Sequence, residues 1–263
     1  MSAVSGREQR VAAHTYAYRD HPLEVALERI SGLGFSAVEI WIGHAPDGAG
    51  PVVKALAGSG LQAIAVGAGG FYDELASSAS RSFELALAVG AEIVVACVVP
   101  RALPQLSRIL PLGLTLCVEN HWDQPMRRPR DIERLLLARA PATRLGACLD
   151  TGHSILAGVR PERFAARLGS SLAHIHLKDA NRPSAVDVLL GPRLRRRLRP
   201  RPQAVVAGAG DLDVARLLVE LDRIDYRGWI TVEDEGTEVA SALTALKVAL
   251  LSRPAPKAAE LQS

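Results

Sequence analysis

Short apolar runs alternate with amphipathic stretches along most of this chain. The runs VAAHT (11–15), AVEIWI (37–42), QAIAVG (62–67), EIVVACVV (92–99), TLCVEN (115–120), LGACLD (145–150), HIHLKD (174–179) and WITVED (229–234) read as strands. Continuous apolar stretches bounded by turn chemistry suit parallel strands covered on both faces. After the first run, Pro22 opens a segment with Leu23, Ala26, Leu27 and Ile30 at helical spacing, and Gly32 and Gly34 stop it. Similar patterns predict helices near 51–59, 74–89, 101–110, 129–139, 161–169, 211–224 and 237–251. Strands alternating with helices in this way predict an α/β fold, a single-domain (β/α)8 TIM barrel over residues 1–263, with flexible tails at 1–10 and 253–263. An open doubly wound sheet is the alternative. It would not bring the ends of the last four strands around one point.

Strand side chains alternate between faces, so Glu119 shares a face with Thr115 and Cys117, and Asp150 with Cys148. In the same way His176 joins His174 and Lys178, and Glu233 joins Thr231 and Glu235. Glu119, Asp150, His176 and Glu233 thus fall at the C-terminal ends of the last four strands, where barrel active sites lie. Three carboxylates and an imidazole crowded in a dry site would repel or go unpaired, and a divalent cation removes both costs. This donor set suits Mn²⁺ first, with Mg²⁺, Co²⁺ and Zn²⁺ as alternatives.

Composition narrows the partners. Hydrophobic residues make up 48% of the 263, enough for a large core, and the formal net charge is only +3. Much of the basic excess sits in one stretch, with Arg193, Arg195, Arg196, Arg197, Arg199 and Arg201 among Pro192, Pro200 and Pro202. We read this as a solvated loop and expect no nucleic-acid partner. Cys97, Cys117 and Cys148 lie inside apolar runs with no CxxC spacing, and no secretory leader pattern opens the chain, which fits a reducing, cytoplasmic setting. No apolar run approaches the roughly 18–20 residues that span a bilayer, so no membrane partner is expected. No GxGxxG follows the first strand, which argues against dinucleotide binding. A homo-oligomer is left open.

The segments CVENH (117–121), LDTGH (149–153), HIHLKD (174–179), GAGDLD (208–213) and YRGWITVEDEG (226–236) resemble, in order and spacing, the sugar phosphate isomerase/epimerase family of xylose-isomerase-like barrels. Its members include ketose 3-epimerases, hydroxypyruvate isomerases, inosose dehydratases and inosose isomerases, and endonuclease IV shares its fold. The resemblance implies the same metal ligands, Glu119, Asp150, His176 and Glu233, and makes Glu119 and Glu233 the acid/base pair that removes and returns a proton through an enediolate. The substrate it implies is a small sugar or keto-polyol. His153 resembles the family's substrate-contacting histidine, and Arg182, six residues after His176, resembles an arginine that contacts substrate in the ketose 3-epimerases. Lys178 fits the HxHxKD pattern and is expected at the site; Glu39 and Trp41 resemble the family's VEIW segment and are expected to hydrogen-bond and stack on a sugar. His14 and His174 are expected to support the site rather than ligate.

Departures from the pattern bear on specificity. Ketose 3-epimerases carry a further acid six positions past the first ligand glutamate, where this chain has Pro125, so substrate recognition is expected to differ. The segment between Val99 and Leu114 is short for a barrel helix, and a long Arg-rich insertion from Gly191 to Pro202 precedes GAGDLD. Asp211 is expected to cap the helix that GAGDLD opens. The functional expectation is a metal-dependent isomerase or epimerase. A dehydratase acting on a keto-inositol or related keto-sugar is the nearest alternative, ahead of an endonuclease IV-like repair enzyme and a noncatalytic sugar-binding barrel.

Overall fold

The computed structural model describes residues 10–71, 75–138, 144–187, 190, 194, 209–234 and 239–252. The Arg-rich stretch 193–201, Leu194 apart, and the expected tails at 1–10, Arg10 apart, and 253–263 lie outside the described residues. The strands are β1 (Val11–His14), β2 (Ala37–Trp41), β3 (Gln62–Phe71), β4 (Ile93–Val98), β5 (Thr115–Glu119), β6 (Leu145–Asp150), β7 (Leu172–Leu177) and β8 (Trp229–Val232). They pair in parallel in chain order, and β1 closes on β8 through Val11 opposite Ile230 and Ala13 opposite Val232. The expected (β/α)8 barrel is the fold, and the open sheet is excluded.

The described helices are α1 (Leu23–Gly32), α2 (Ala49–Ser59), α3 (Leu75–Ala88), α4 (Leu103–Ile109), α5 (Pro129–Leu137), α6 (Thr151–Leu156), α7 (Pro161–Leu168), α8 (Val214–Arg223) and α9 (Val239–Leu251). Alternation along the strands sorts the core into two parts. Outward residues such as Val38, Ile40, Val66, Val94, Leu116, Val118, Leu149, Ile175 and Val232 join Leu27, Ile30, Phe83, Leu106, Ile132, Phe164, Leu217 and Leu243 of the helices in one large apolar layer. Inward residues form small clusters instead: Ala12, Ala37, Ile64 and Ala65 in one, and Val95, Cys117 and Cys148 in another. The barrel interior therefore turns polar toward its C-terminal mouth, where the next inward positions are His14, Glu39, Glu119, Asp150 and His176. Full burial of each large aliphatic or aromatic side chain in the outer layer contributes about 1.5–3 kcal/mol, so the layer can hold a charged interior in place.

Four departures from the expected elements bear on the site and the loops around it. β3 runs past the expected end at Gly67 to Phe71, through an irregularity: pairing with β4 shifts between Gly67 and Gly70, and Gly69 takes φ 74°. An unexpected helix, α6, directly follows β6, with the Asp150 carboxylate accepting from the His153 N–H at 2.6 Å as its N-cap. α8 starts at Val214 and is capped by Asp213, whose carboxylate accepts from the Arg216 N–H, so the expected capping role of Asp211 is not met. β8 ends at Val232, which leaves Glu233 just past the strand. The short helix expected between Val99 and Leu114 is present, as a 3-10 turn over Pro100–Ala102 and the seven residues of α4. No helix among the described residues is long and apolar enough to cross a membrane.

Candidate metal centre and active site

The ends of β5, β6 and β7 and the first residue after β8 bring Glu119, Asp150, His176 and Glu233 together, with one ligand atom of each within 4.8 Å of the others. His176 is the hub. Its Nδ1 lies 2.8 Å from Glu119 Oε1 and 3.2 Å from Glu233 Oε2. Its Nε2 faces the other way, 3.1 Å from Glu39 Oε1. Glu39 is wholly buried beneath this cluster, and its Oε2 lies 2.9 Å from His174 Nε2, which also meets the Thr231 hydroxyl at 3.0 Å. His14 completes the layer. Its Nδ1 accepts from the Tyr16 N–H, so in the neutral ring Nε2 carries the proton and faces Glu39 Oε1 at 3.4 Å.

Charge follows this geometry. Burial opposes ionisation of Glu39, but His176, His14 and His174 outweigh it and hold the carboxyl well below its usual range. Burial likewise disfavours a charged His176, yet Glu39 and the hydrogen bonds to Glu119 and Glu39 hold its pKa well above the ordinary imidazole value. For Glu233, burial is overcome by Lys178, His14 and His176, and the net shift is downward. Asp150 goes the other way: burial, opposed by Lys178 and reinforced by Glu233 and Glu119, lifts it to about 7. An acid so raised, among other acids, wants a cation.

The donor set fits a divalent metal ion on a further observation. Asp150 Oδ2 is buried without a hydrogen-bond partner, while Oδ1 caps α6. Asp150 thus holds one oxygen on the backbone of α6 and presents the other, which accepts no hydrogen bond, to the cluster. The Asn120 side chain fixes this arrangement by accepting from the Asp150 N–H at 2.8 Å and donating to the Asp150 carbonyl at 3.0 Å. Cys97 donates to Glu119 Oε2 at 3.5 Å, and burial, then Glu119, push its thiol well above its usual pKa.

The other expected site residues divide. Lys178 is buried, with Nζ 3.7 Å from Glu233 Oε1, and Thr151 ties its backbone by accepting from the Lys178 N–H and donating to the Lys178 carbonyl. His153 reaches the cluster, its Nε2 3.8 Å from Asp150 Oδ2; burial, then His121 and Lys178, hold its pKa well below the ordinary value. Trp41 stands at the rim, edge-on to Tyr16 at 5.2 Å and to His44 at 5.3 Å. Glu39, expected to meet a sugar, is wholly buried on His174 and His176 and has no free face to offer one. Arg182 is not brought in: its side chain is 58% exposed and faces Asp211, which also accepts from the Arg182 N–H.

Sequence reasoning passed over Asn120, Thr151 and His121. A polar residue directly beside a ligand or at the start of a helix was the signal for the first two. The His121 ring meets that of His153 at a 46° tilt with centroids 3.8 Å apart, and its Nδ1 lies 2.6 Å from Asp123 Oδ1. Burial lowers its pKa, but the Asp123 hydrogen bond and Glu119 more than reverse this, and the net shift is upward. A groove between α1 and α2, lined by Leu27, Pro51 and Lys54 among others, lies outside the barrel and contains none of these groups.

Three carboxylates and one imidazole thus converge at the C-terminal mouth of a (β/α)8 barrel, in a group that could hold a metal ion. Residues 27–252 match the family described as the xylose isomerase-like TIM barrel, and the chain belongs to that family. It is 29% identical over 140 residues to an inosose dehydratase of Geobacillus kaustophilus, a match covering 52% of this chain and 45% of that protein. The matched region thus spans less than half of that relative. In structure it resembles a D-tagatose 3-epimerase-like protein, with a TM-score of 0.72, 17% identity and coverage of 92% of this chain and 97% of the other. It also resembles 3-keto-D-glucoside 4-epimerase, YcjR, from E. coli, with a TM-score of 0.70, 16% identity and coverage of 92% and 98%. At these identities the structural likeness is one of fold.

Proposed function

We propose that this protein is a divalent-metal-dependent enzyme that moves a proton next to the carbonyl of a small sugar or keto-polyol through an enediolate, completing an isomerisation or epimerisation. The observation that carries the reading is the convergence of Glu119 Oε1 and Glu233 Oε2 on one nitrogen, His176 Nδ1, at 2.8 and 3.2 Å. Glu119, Asp150, His176 and Glu233 would hold the ion, with Mn²⁺ the first choice. When bound, the ion supplies positive charge beside the oxygens that become anionic as the proton leaves. Glu119 arrives from β5 and Glu233 from the far side of the mouth, after β8, so one carboxylate can take a proton from one face of a substrate carbon and the other return one to the opposite face. Positioned acid/base groups of this kind typically contribute about 10²–10⁴ in rate. Lys178, against Glu233, keeps that carboxylate ionised and ready to accept.

A second reading is dehydration, in which the same enediolate expels a β-hydroxyl instead of regaining a proton. The likeness to an inosose dehydratase supports it. One experiment separates the two: Mn²⁺-loaded protein is incubated in deuterated water with ketoses, keto-inositols and hydroxypyruvate, and products are freed of metal and read by NMR against a chelated control. Metal-dependent deuterium next to the carbonyl, with the carbon skeleton's oxygens retained, supports isomerase or epimerase chemistry. Loss of water supports the dehydratase. No exchange with any substrate, despite a bound ion, overturns both.

A further inference from the structure

We propose that His121, aimed by Asp123 and braced on His153, forms a hydroxyl-binding subsite beside the metal centre that selects which polyol the site accepts. The inference rests on the proposed keto-polyol chemistry and adds a recognition element to it. The loop after β5 supplies the subsite. Asp123 Oδ1 holds His121 Nδ1 at 2.6 Å, which directs Nε2 away from the carboxylate, and in either charge state that nitrogen can hydrogen-bond a hydroxyl. The side chain of His121 is 28% exposed and that of Asp123 only 7%, so the imidazole is the member of the pair offered to solvent at the mouth.

The loop is built to hold this ring still. Trp122 is buried with Ile155 and Leu156 of α6 and with Ala180, anchoring the residue between the pair. The Gln124 N–H donates to the His121 carbonyl at 3.0 Å, and its side-chain amide donates to Asp123 Oδ1 at 3.2 Å. His121 also rests against the ring of His153, tilted 46° to it, and the His153 backbone N–H is held by Asp150. The recognition group is therefore one ring away from a metal-ligand candidate, close enough to meet a hydroxyl of the same small substrate.

The test pairs His121→Phe, which keeps an aromatic ring against His153 and removes its nitrogens, with Asp123→Asn, which keeps shape and loses the charge that aims it. With the substrate found by deuterium exchange, both variants should raise KM by roughly 10-fold, the effect of losing about one good hydrogen bond, and flatten the ranking among ketoses and keto-inositols. Calorimetric Mn²⁺ affinity should stay within about threefold of wild type, since neither residue is a ligand. Unchanged KM and ranking in both variants overturns the proposal and leaves the proposed chemistry standing; a loss of Mn²⁺ affinity in both also overturns it, in favour of a purely structural loop. If the wild type exchanges nothing, the chemistry fails separately, and the side-chain ¹⁵N signals of His121, followed in chelated protein titrated with scyllo-inosose and D-fructose, decide. A saturable shift sustains the subsite and its absence ends it.

Discussion

Glu39 and His176 are joined at 3.1 Å on the side of the imidazole opposite Glu119 and Glu233. With Nε2–H held by a buried carboxylate, Nδ1 is the nitrogen left for a metal ion, and the ring cannot rotate away. Partners of this kind set ligand orientation and basicity, and losing them typically weakens metal binding about 10–100-fold. Glu39→Gln, which keeps the shape and removes the charge, should therefore raise the Mn²⁺ dissociation constant by about that factor in calorimetry. An unchanged constant would mean that His176 is held by packing alone.

Within the ligand set, Glu119→Gln and Glu233→Gln should each lower metal-dependent deuterium exchange by about 10²-fold or more, because an amide can neither take nor return the proton. Both should also weaken Mn²⁺ binding. His14→Asn should leave Mn²⁺ affinity nearly intact, since His14 Nδ1 is spent on the Tyr16 N–H and Nε2 faces Glu39. If His14→Asn strips the ion, the true ligand set includes the lower His14, Glu39 and His176 cluster.

The barrel and the four converging side chains were legible because they follow from the two-residue period of strands and from strand order, which a single sequence carries. Glu39 was harder. The VEIW segment puts it on the inward face, but only the register of His14 opposite Glu39, and the three-dimensional approach of β7, reveal that it lies wholly buried beneath the Glu119, Asp150, His176 and Glu233 cluster. Arg182 was misplaced for a related reason: spacing along the chain fixes which strand end a residue follows, not which way a loop side chain turns, and Asp211 draws this one outward. α6 was missed because its N-cap, Asp150, is also a ligand candidate and was read only as the latter.

Proton competition would give metal binding at this cluster a definite pH dependence. Asp150 is raised to about 7 and His176 well above its ordinary value, so in metal-free protein both hold protons more tightly than in the unfolded chain. Stability from these two groups is present at low pH and is lost as pH rises, for Asp150 through about 4 to 7 and for His176 above about 6.5. Metal binding requires the carboxylate and the neutral imidazole, and so displaces both protons. The rise in melting temperature produced by a fixed Mn²⁺ excess over chelator should therefore grow from pH 5.5 to pH 8. Subtracting the chelated curve removes the opposing contributions of His153 and His174, whose lowered pKa values favour folding at higher pH. A metal-induced shift that is flat across this range would exclude Asp150 and His176 as ligands.

Residues 209–213 are tied to the chain after β7 chiefly through the side chain of Asp179, alongside the Asp211 carboxylate, which accepts from the Arg182 N–H. The Asp179 carboxylate accepts from the N–H groups of Ala180 at 2.8 Å, Gly210 at 2.9 Å and Leu212 at 3.1 Å, so it clamps the chain after β7 to the chain before α8. Hydrogen bonds to a charged group contribute about 1.5–3 kcal/mol each in favourable cases, and because these three share one acceptor group Asp179→Ala should cost about 2–4 kcal/mol in all. Gly210→Ala attacks the same clamp from the other side: a Cβ there runs into the Asp179 carboxylate and comes within 2.8 Å of the Ala180 carbonyl oxygen, which is backbone and cannot step aside. Each variant should lower the melting temperature by roughly 5–12 °C, and the double variant should fall by much less than the sum, since the second change removes what the first has already broken. Additive losses would show that Gly210 matters for a reason other than Asp179. An unchanged melting point in Asp179→Ala with deuterium exchange abolished would move Asp179 from the loop to the substrate.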